Sequence, residues 1–200
     1  ALKPASTRLV DEKKLEAYTR AFAKEVAKEH LARDRTVTLV FINQVERAQG
    51  IYRELAKELE GEETDLLLVH SRFRPTERRE REERLRELKE QKRKGELSPG
   101  GVIVVSTQAL EAGVDFSSDM LFTELAPWSP LVQRFGRCNR YGESKDAQIF
   151  WTDIEVEDND LSLPYTAEEL AGARERLNGL ESASPTELGP PEGDLPLSQV

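Results

Sequence analysis

The sequence predicts an α/β fold in three layers, with a mainly parallel central sheet and helices on both faces. Two observations carry this prediction. Short β-branched, apolar runs recur without polar alternation, as expected of strands buried on both sides. Between them lie segments whose apolar residues repeat at helical spacing, and strands alternating with helices build parallel sheets.

The elements follow in chain order. Residues 11–32 carry Leu15, Tyr18, Phe22 and Val26 at helical spacing behind Asp11, a candidate N-cap. "TVTLVFINQ" (36–44) reads as the first buried strand, and 45–60 as a helix with Ile51, Leu55 and Leu59 on one face. "DLLLV" (65–69) is the next strand. The helix expected over 75–94 is almost wholly charged, with Leu85 and Leu88 as its apolar anchors and Gly95 as its stop. "GVIVVS" (101–106), "MLFTEL" (120–125) and "AQIFWT" (147–152) are the remaining strands. Ser129 and Pro130 suit a helix start, as N-cap and first helical residue, with Gly142 placed to end that helix. Residues 166–177 suit one short helix. The expected division is a lobe over 1–152 and an acidic, Pro- and Gly-containing linker or tail over 153–200.

Composition narrows the classes. No apolar run approaches a membrane span, so no membrane partner is expected. Cys138 is the sole cysteine, which rules out an internal disulfide and fits a cytoplasmic protein. The net charge of −9 is uneven: residues 152–200 hold 12 Asp and Glu against 2 Lys and Arg, leaving 27 basic and 26 acidic residues before them. The acidic total therefore does not argue against nucleic acid, for which local basic clusters decide.

Four segments carry chemistry, and ligands in such folds are expected at loops beyond the carboxyl ends of strands. In "PLVQRFGRCNRYGE" (130–143), Gln133, Arg137 and Arg140 fall at i, i+4 and i+7 of the expected helix. They present an amide and two planar forks matched to phosphate oxygens, or else a solvated helix face. In "STQALEAGVDFSSD" (106–119), the Thr107 hydroxyl can bond a phosphate, Gly113 permits a close turn, and Asp115 can accept from a ribose hydroxyl or orient an arginine. A helix cap followed by a turn would need the same residues. In "VHSRFRPTERR" (69–79), Arg72, Arg74, Arg78 and Arg79 suit either a nucleic-acid backbone or ion pairs with Glu80, Glu82 and Glu83, while His70 reads as a packed histidine. Asn43 and Gln44, where a strand meets a helix, suit either nucleic acid or a cap. No metal-ligand set is read from the sequence.

In this order the segments resemble the second RecA-like lobe of a superfamily 2 helicase: "TLVFINQ" is similar to motif IV, "STQALEAGVD" to motif V and "QRFGRCNR" to motif VI. The wording of "HSRFRPTERR", "TQALEAGVDFSSD" and "ELAPWSPLVQRFGRCNR" resembles more particularly the helicase–nuclease of type I CRISPR systems, over about residues 36–152. The resemblance implies a RecA-like fold and an ATP-dependent helicase or translocase. Gln133, Arg137 and Arg140 would face ATP and Mg²⁺ bound mainly by a first lobe, the arginines acting on the terminal phosphates. Gly113 and Asp115 would lie at the same cleft. Thr107, Arg72 and Asn43 would contact single-stranded DNA, and a CRISPR surveillance complex would be a partner. The 200 residues contain no Gly-x-x-x-x-Gly-Lys-Ser/Thr loop and no Asp-Glu-x-His box, so this chain by itself is expected not to hydrolyse ATP. The same lobe of another superfamily 2 motor, such as a restriction translocase or RNA helicase, and a non-enzymatic α/β anion- or nucleotide-binding module are the alternatives.

Overall fold

A computed structural model describes residues 1–110, 116–154, 159–180 and 182–188. Six parallel strands form one sheet in the order β1-β6-β5-β2-β4-β3. They are β1 (Leu2–Pro4), β2 (Val37–Phe41), β3 (Asp65–Val69), β4 (Val102–Ser106), β5 (Met120–Glu124) and β6 (Gln148–Thr152). Every residue of β2, β4 and β5 is buried, which is why these segments are predominantly apolar rather than alternating. The helices are α1 (Leu15–Leu31), α2 (Val45–Glu58), α3 (Pro75–Lys94), α4 (Trp128–Phe135), α5 (Asn159–Ser162), α6 (Ala167–Asn178) and α7 (Pro185–Leu188). This is a RecA-like α/β fold.

The sheet's direction of travel sets the layers. From β2 the chain moves outward through α2 to β3, then returns through α3 to β4 between them. Right-handed crossovers in opposite directions put α2 and α3 on opposite faces. α1 packs beside α2. α4 follows β5 toward β6 and so shares the face of α3.

Local chemistry explains the boundaries. Asp11 Oδ1 accepts from the Lys13 N–H at 3.0 Å and opens a short 3₁₀ turn (Glu12–Lys14) that runs into α1. α3 begins at Pro75, and Gly95 ends it in the left-handed region at φ 71°. Leu85 and Leu88 are its buried residues. Gly101 is required at the entrance to β4: its φ is +68°, and an added Cβ would meet the Thr36 carbonyl oxygen at 2.2 Å.

β1 was not expected from the sequence. Its three residues carry no periodicity, and they are held by pairing to β6, Leu2 opposite Ile149 and Pro4 opposite Trp151. Beyond β6, α6 buries Leu170, Ala173 and Leu177 in the same core as the sheet, and its Arg174 donates to Asp153 Oδ1 at 2.8 Å. Residues 189–200 lie outside the described residues.

Candidate functional site

Because all strands run the same way, the segments that follow them gather at one edge. Three sequence candidates meet there on the adjacent strands β3, β4 and β2. Arg72, after β3, is exposed, and its guanidinium donates to Glu46 in the first turn of α2. Glu46 is held below the usual carboxylate range by its own backbone N–H and then by Arg72. Thr107, directly after β4, is 2% exposed, and its N–H donates to the Val69 carbonyl at 3.3 Å. Asn43, after β2, faces the interior. Its Nδ2 donates to the Leu125 carbonyl at 2.8 Å, and its Oδ1 accepts from Arg134 Nη1 at 3.1 Å.

The arginines of the segment 130–143 lie elsewhere. α4 starts at Trp128, with Pro127 at the N-cap position and no side-chain cap, so Ser129 and Pro130 sit inside its first turn. It ends after eight residues at Phe135. Gln133 is on its last turn and exposed, whereas Arg137 (half-buried) and Arg140 (exposed) lie on the following loop. The expected i, i+4, i+7 helical face therefore does not form. The reason is a competing partner: Ser118 bridges Cys138. The Ser118 N–H donates to the Arg137 carbonyl at 2.9 Å, and the Asn139 N–H to the Ser118 carbonyl at 2.7 Å. Asn139 takes φ +49°, a region asparagine tolerates, and its side chain closes the loop onto Ser144. The Arg140 N–H donates to Ser117 Oγ at 3.1 Å.

Ser118 precedes β5, and the neighbouring Asp119 N–H bonds the carbonyl of Val37, the first residue of β2. The arginine loop thus sits at the amino edge of the sheet, opposite Arg72, Thr107 and Asn43. The expectation that ligands sit at loops beyond the carboxyl ends of strands therefore does not extend to this loop. The segment after Thr107 leaves from one edge, and Phe116–Asp119 lie at the other. Gly113 and Asp115 fall outside the described residues.

A buried polar network under the carboxyl edge escaped sequence reading. Glu124, the last residue of β5, has no exposure. Four donors converge on its carboxylate: Arg47 Nε at 2.7 Å, Arg47 Nη2 at 2.8 Å, the Asn43 N–H at 2.7 Å and the Tyr18 hydroxyl at 3.1 Å. Burial opposes the charge of Arg47 and the Glu124 carboxylate more than offsets this, raising the guanidinium pKa. Burial, followed by the Glu124 charge, raises Tyr18 well above the ordinary phenol value. Arg134, also without exposure, donates to Asn43 Oδ1, to Thr123 Oγ1 at 2.9 Å and to the Glu124 carbonyl at 3.2 Å. Its guanidinium lies 5.5 Å from the Phe41 ring centre. Two signals are available: Arg134 shares a helical face with Leu131 and Phe135, and Glu124 is the one charged residue of a mostly apolar strand.

The profile of "CRISPR-associated nuclease/helicase Cas3, C-terminal" matches residues 34–143, more than half of the chain. The CRISPR-associated helicase Cas3 of Thermoproteus tenax is 37% identical over 114 residues, 56% of this chain and 18% of that protein. The crystal structure of T. fusca Cas3 with AMPPNP superposes with a TM-score of 0.74 at 25% identity, covering 90% of this chain and 22% of the other. A chain of a CRISPR RNA-guided surveillance complex, pre-nicking, superposes with a TM-score of 0.68 at 26% identity, over 89% and 22%. The chain spans about a fifth of the length of these relatives.

Breaking the central ion pair is expected to be costly. Arg47→Met would leave the buried Glu124 carboxylate uncompensated and should lower unfolding free energy by about 3–5 kcal/mol in urea titration. Adding Glu124→Leu should recover much of that loss. A single-variant cost of about 1 kcal/mol or less would contradict the assigned role of the pair.

Proposed function

The chain belongs to the family of C-terminal domains of the CRISPR-associated nuclease/helicase Cas3, and from that premise we propose that it is the second motor lobe of an ATP-driven helicase or translocase acting on single-stranded DNA. The observation that carries this reading is the separation of two polar surfaces at opposite sheet edges, with α4 between them and a buried network under the carboxyl edge. The longer protein, its ATPase activity and its docking on a CRISPR surveillance complex are part of the proposal.

The amino edge suits the terminal phosphates of a nucleotide. Arg137 and Arg140 offer multi-donor planar forks that pair with phosphate oxygens. Their loop backbone is held by Ser117 and Ser118, so the segment that carries the two arginines is set before a ligand arrives. Gln133 adds an exposed amide on the adjoining turn. Gly113 and Asp115 are assigned to the same cleft. ATP would supply the phosphoryl group whose transfer to water drives the motor. It would be held, with Mg²⁺, mainly by a first lobe that this chain faces. Among the described residues no group of three or more His, Cys, Asp or Glu is placed to hold a metal ion. Arginines acting across such a cleft are worth roughly 10³–10⁵ in rate in related phosphoryl transfers. Without a phosphate-binding loop of its own, the isolated chain is proposed to be inactive.

The carboxyl edge suits a DNA backbone. Among the described residues Arg72 pairs with Glu46 in a solvent-exposed ion pair, and such pairs are worth about 0–1 kcal/mol, so a phosphate can take Glu46's place. Thr107 is assigned the adjacent phosphate contact. Asn43, assigned to the same edge, lies beneath that surface, its amide bonding Arg134 and Leu125.

The test is a double dissociation in the longer protein. Arg137→Lys and Arg140→Lys should each lower DNA-stimulated ATP hydrolysis by roughly 10²–10³, with nucleotide-free DNA binding unchanged. Arg72→Ala should do the reverse, weakening DNA binding and flattening its salt dependence while sparing the rate at saturating DNA. Wild-type turnover in both lysine variants, or loss of both activities in every variant, would contradict the assignment.

A further inference from the structure

Tyr165 lies outside the segment matched by the family profile, residues 34–143. It immediately precedes Thr166, the N-cap of α6. There the Thr166 Oγ1 accepts from the Glu169 N–H at 3.2 Å, and Glu169 Oε2 accepts from the Thr166 N–H at 2.8 Å. This reciprocal capping fixes the direction in which the chain enters the helix. α6 is itself anchored. Leu170, Ala173 and Leu177 are buried, Arg174 bonds Asp153 and the Ile154 carbonyl, and the Arg176 guanidinium lies 5.3 Å from the Trp128 ring at the start of α4. Tyr165 is therefore presented from a braced element rather than from a loose tail.

Its hydroxyl oxygen stands where two parts of the proposed motor converge. Gln108 Nε2 donates to it at 3.3 Å, and Arg134 Nη2 donates to it at 3.3 Å. Gln108 is the residue after Thr107, and its Nε2 also reaches the Asn43 carbonyl at 3.4 Å. Arg134 lies three residues before Arg137 on the helix that crosses from the carboxyl edge to the amino edge. One phenol oxygen thus accepts from both the segment assigned to DNA and the helix that delivers the arginine loop. Both bonds are at the long end of the hydrogen-bond range, so a small shift of Gln108 changes what Arg134 feels at little cost.

We propose that Tyr165 is a positioning residue that couples DNA occupancy at Thr107 to the placement of Arg137 and Arg140. This inference rests on the motor reading above and adds a residue to it. A phenol serving only as packing would need no hydroxyl at this point, because its ring already lies against the core.

The experiment compares ATP hydrolysis by the longer protein with and without single-stranded DNA, for wild type, Tyr165→Phe, Gln108→Met and the double variant. Tyr165→Phe keeps the ring. It should leave the DNA-free rate, nucleotide-free DNA affinity and unfolding midpoint near wild type while lowering the stimulation by DNA roughly 2- to 30-fold. Gln108→Met should lower stimulation similarly, and the double variant should lose no more than the more impaired single variant, because both break one link. If Tyr165→Phe does not fold, or loses its DNA-free rate and unfolding midpoint along with stimulation, its role is structural and the inference falls. Unchanged stimulation, or losses that multiply in the double variant, overturns it equally. If wild type itself shows no stimulation, the motor reading fails and the coupling fails with it. That outcome is separable because it involves no substitution.

Discussion

The architecture depends on a carboxylate that has no contact with water. Glu124 ends the strand beside β2 at the centre of the sheet, where an uncompensated charge would cost several kcal/mol. Its compensation comes from Tyr18 on α1, Arg47 on α2 and the peptide of Asn43. These partners can satisfy it only in one relative placement of the sheet and the two helices packed on that face. Arg134 then extends the network through the sheet edge to α4 on the opposite face. A wholly apolar edge could have packed in several ways, whereas a fully satisfied charged network admits few.

That placement has a functional consequence. Arg134, in the last turn of α4, joins the network, and the loop of Arg137 and Arg140 follows directly. The loop does not continue as helix because Ser118 offers its backbone a better partner. The two surfaces of the proposed motor are therefore at opposite ends of one strand-and-helix unit, with arginines at both. In the proposed coupling, movement at the carboxyl edge would reach the amino edge through Gln108, Tyr165, Arg134 and α4.

Much of this was legible from local signals. The strands follow from continuous apolar runs, and α3 runs from Pro75 to Lys94 because proline opens and glycine closes it. The membership and the arginine-rich motif were legible too, since residue type and spacing carry them. What was not legible depends on partners distant in sequence. β1 exists only through β6, more than a hundred residues on. The end of α4 is decided by Ser118, and the burial of Arg134, Arg47 and Glu124 by one another. Spacing alone placed Arg137 and Arg140 on a helical face, because it holds no information about a competing strand-like bridge. The position of Asn43 between strand and helix suits nucleic acid or a cap, whereas its inward amide follows from Arg134 and Leu125.

The central claim is that the two sheet edges serve two different ligands. It is tested most directly by a structure of the longer protein bound to both a non-hydrolysable ATP analogue and single-stranded DNA. The account predicts terminal phosphate oxygens about 2.7–2.9 Å from a guanidinium nitrogen of Arg137 or Arg140 at the amino edge, with DNA phosphates at Arg72 and Thr107 on the carboxyl edge. Nucleotide phosphates at the carboxyl edge, or DNA running along the arginine loop, would contradict it.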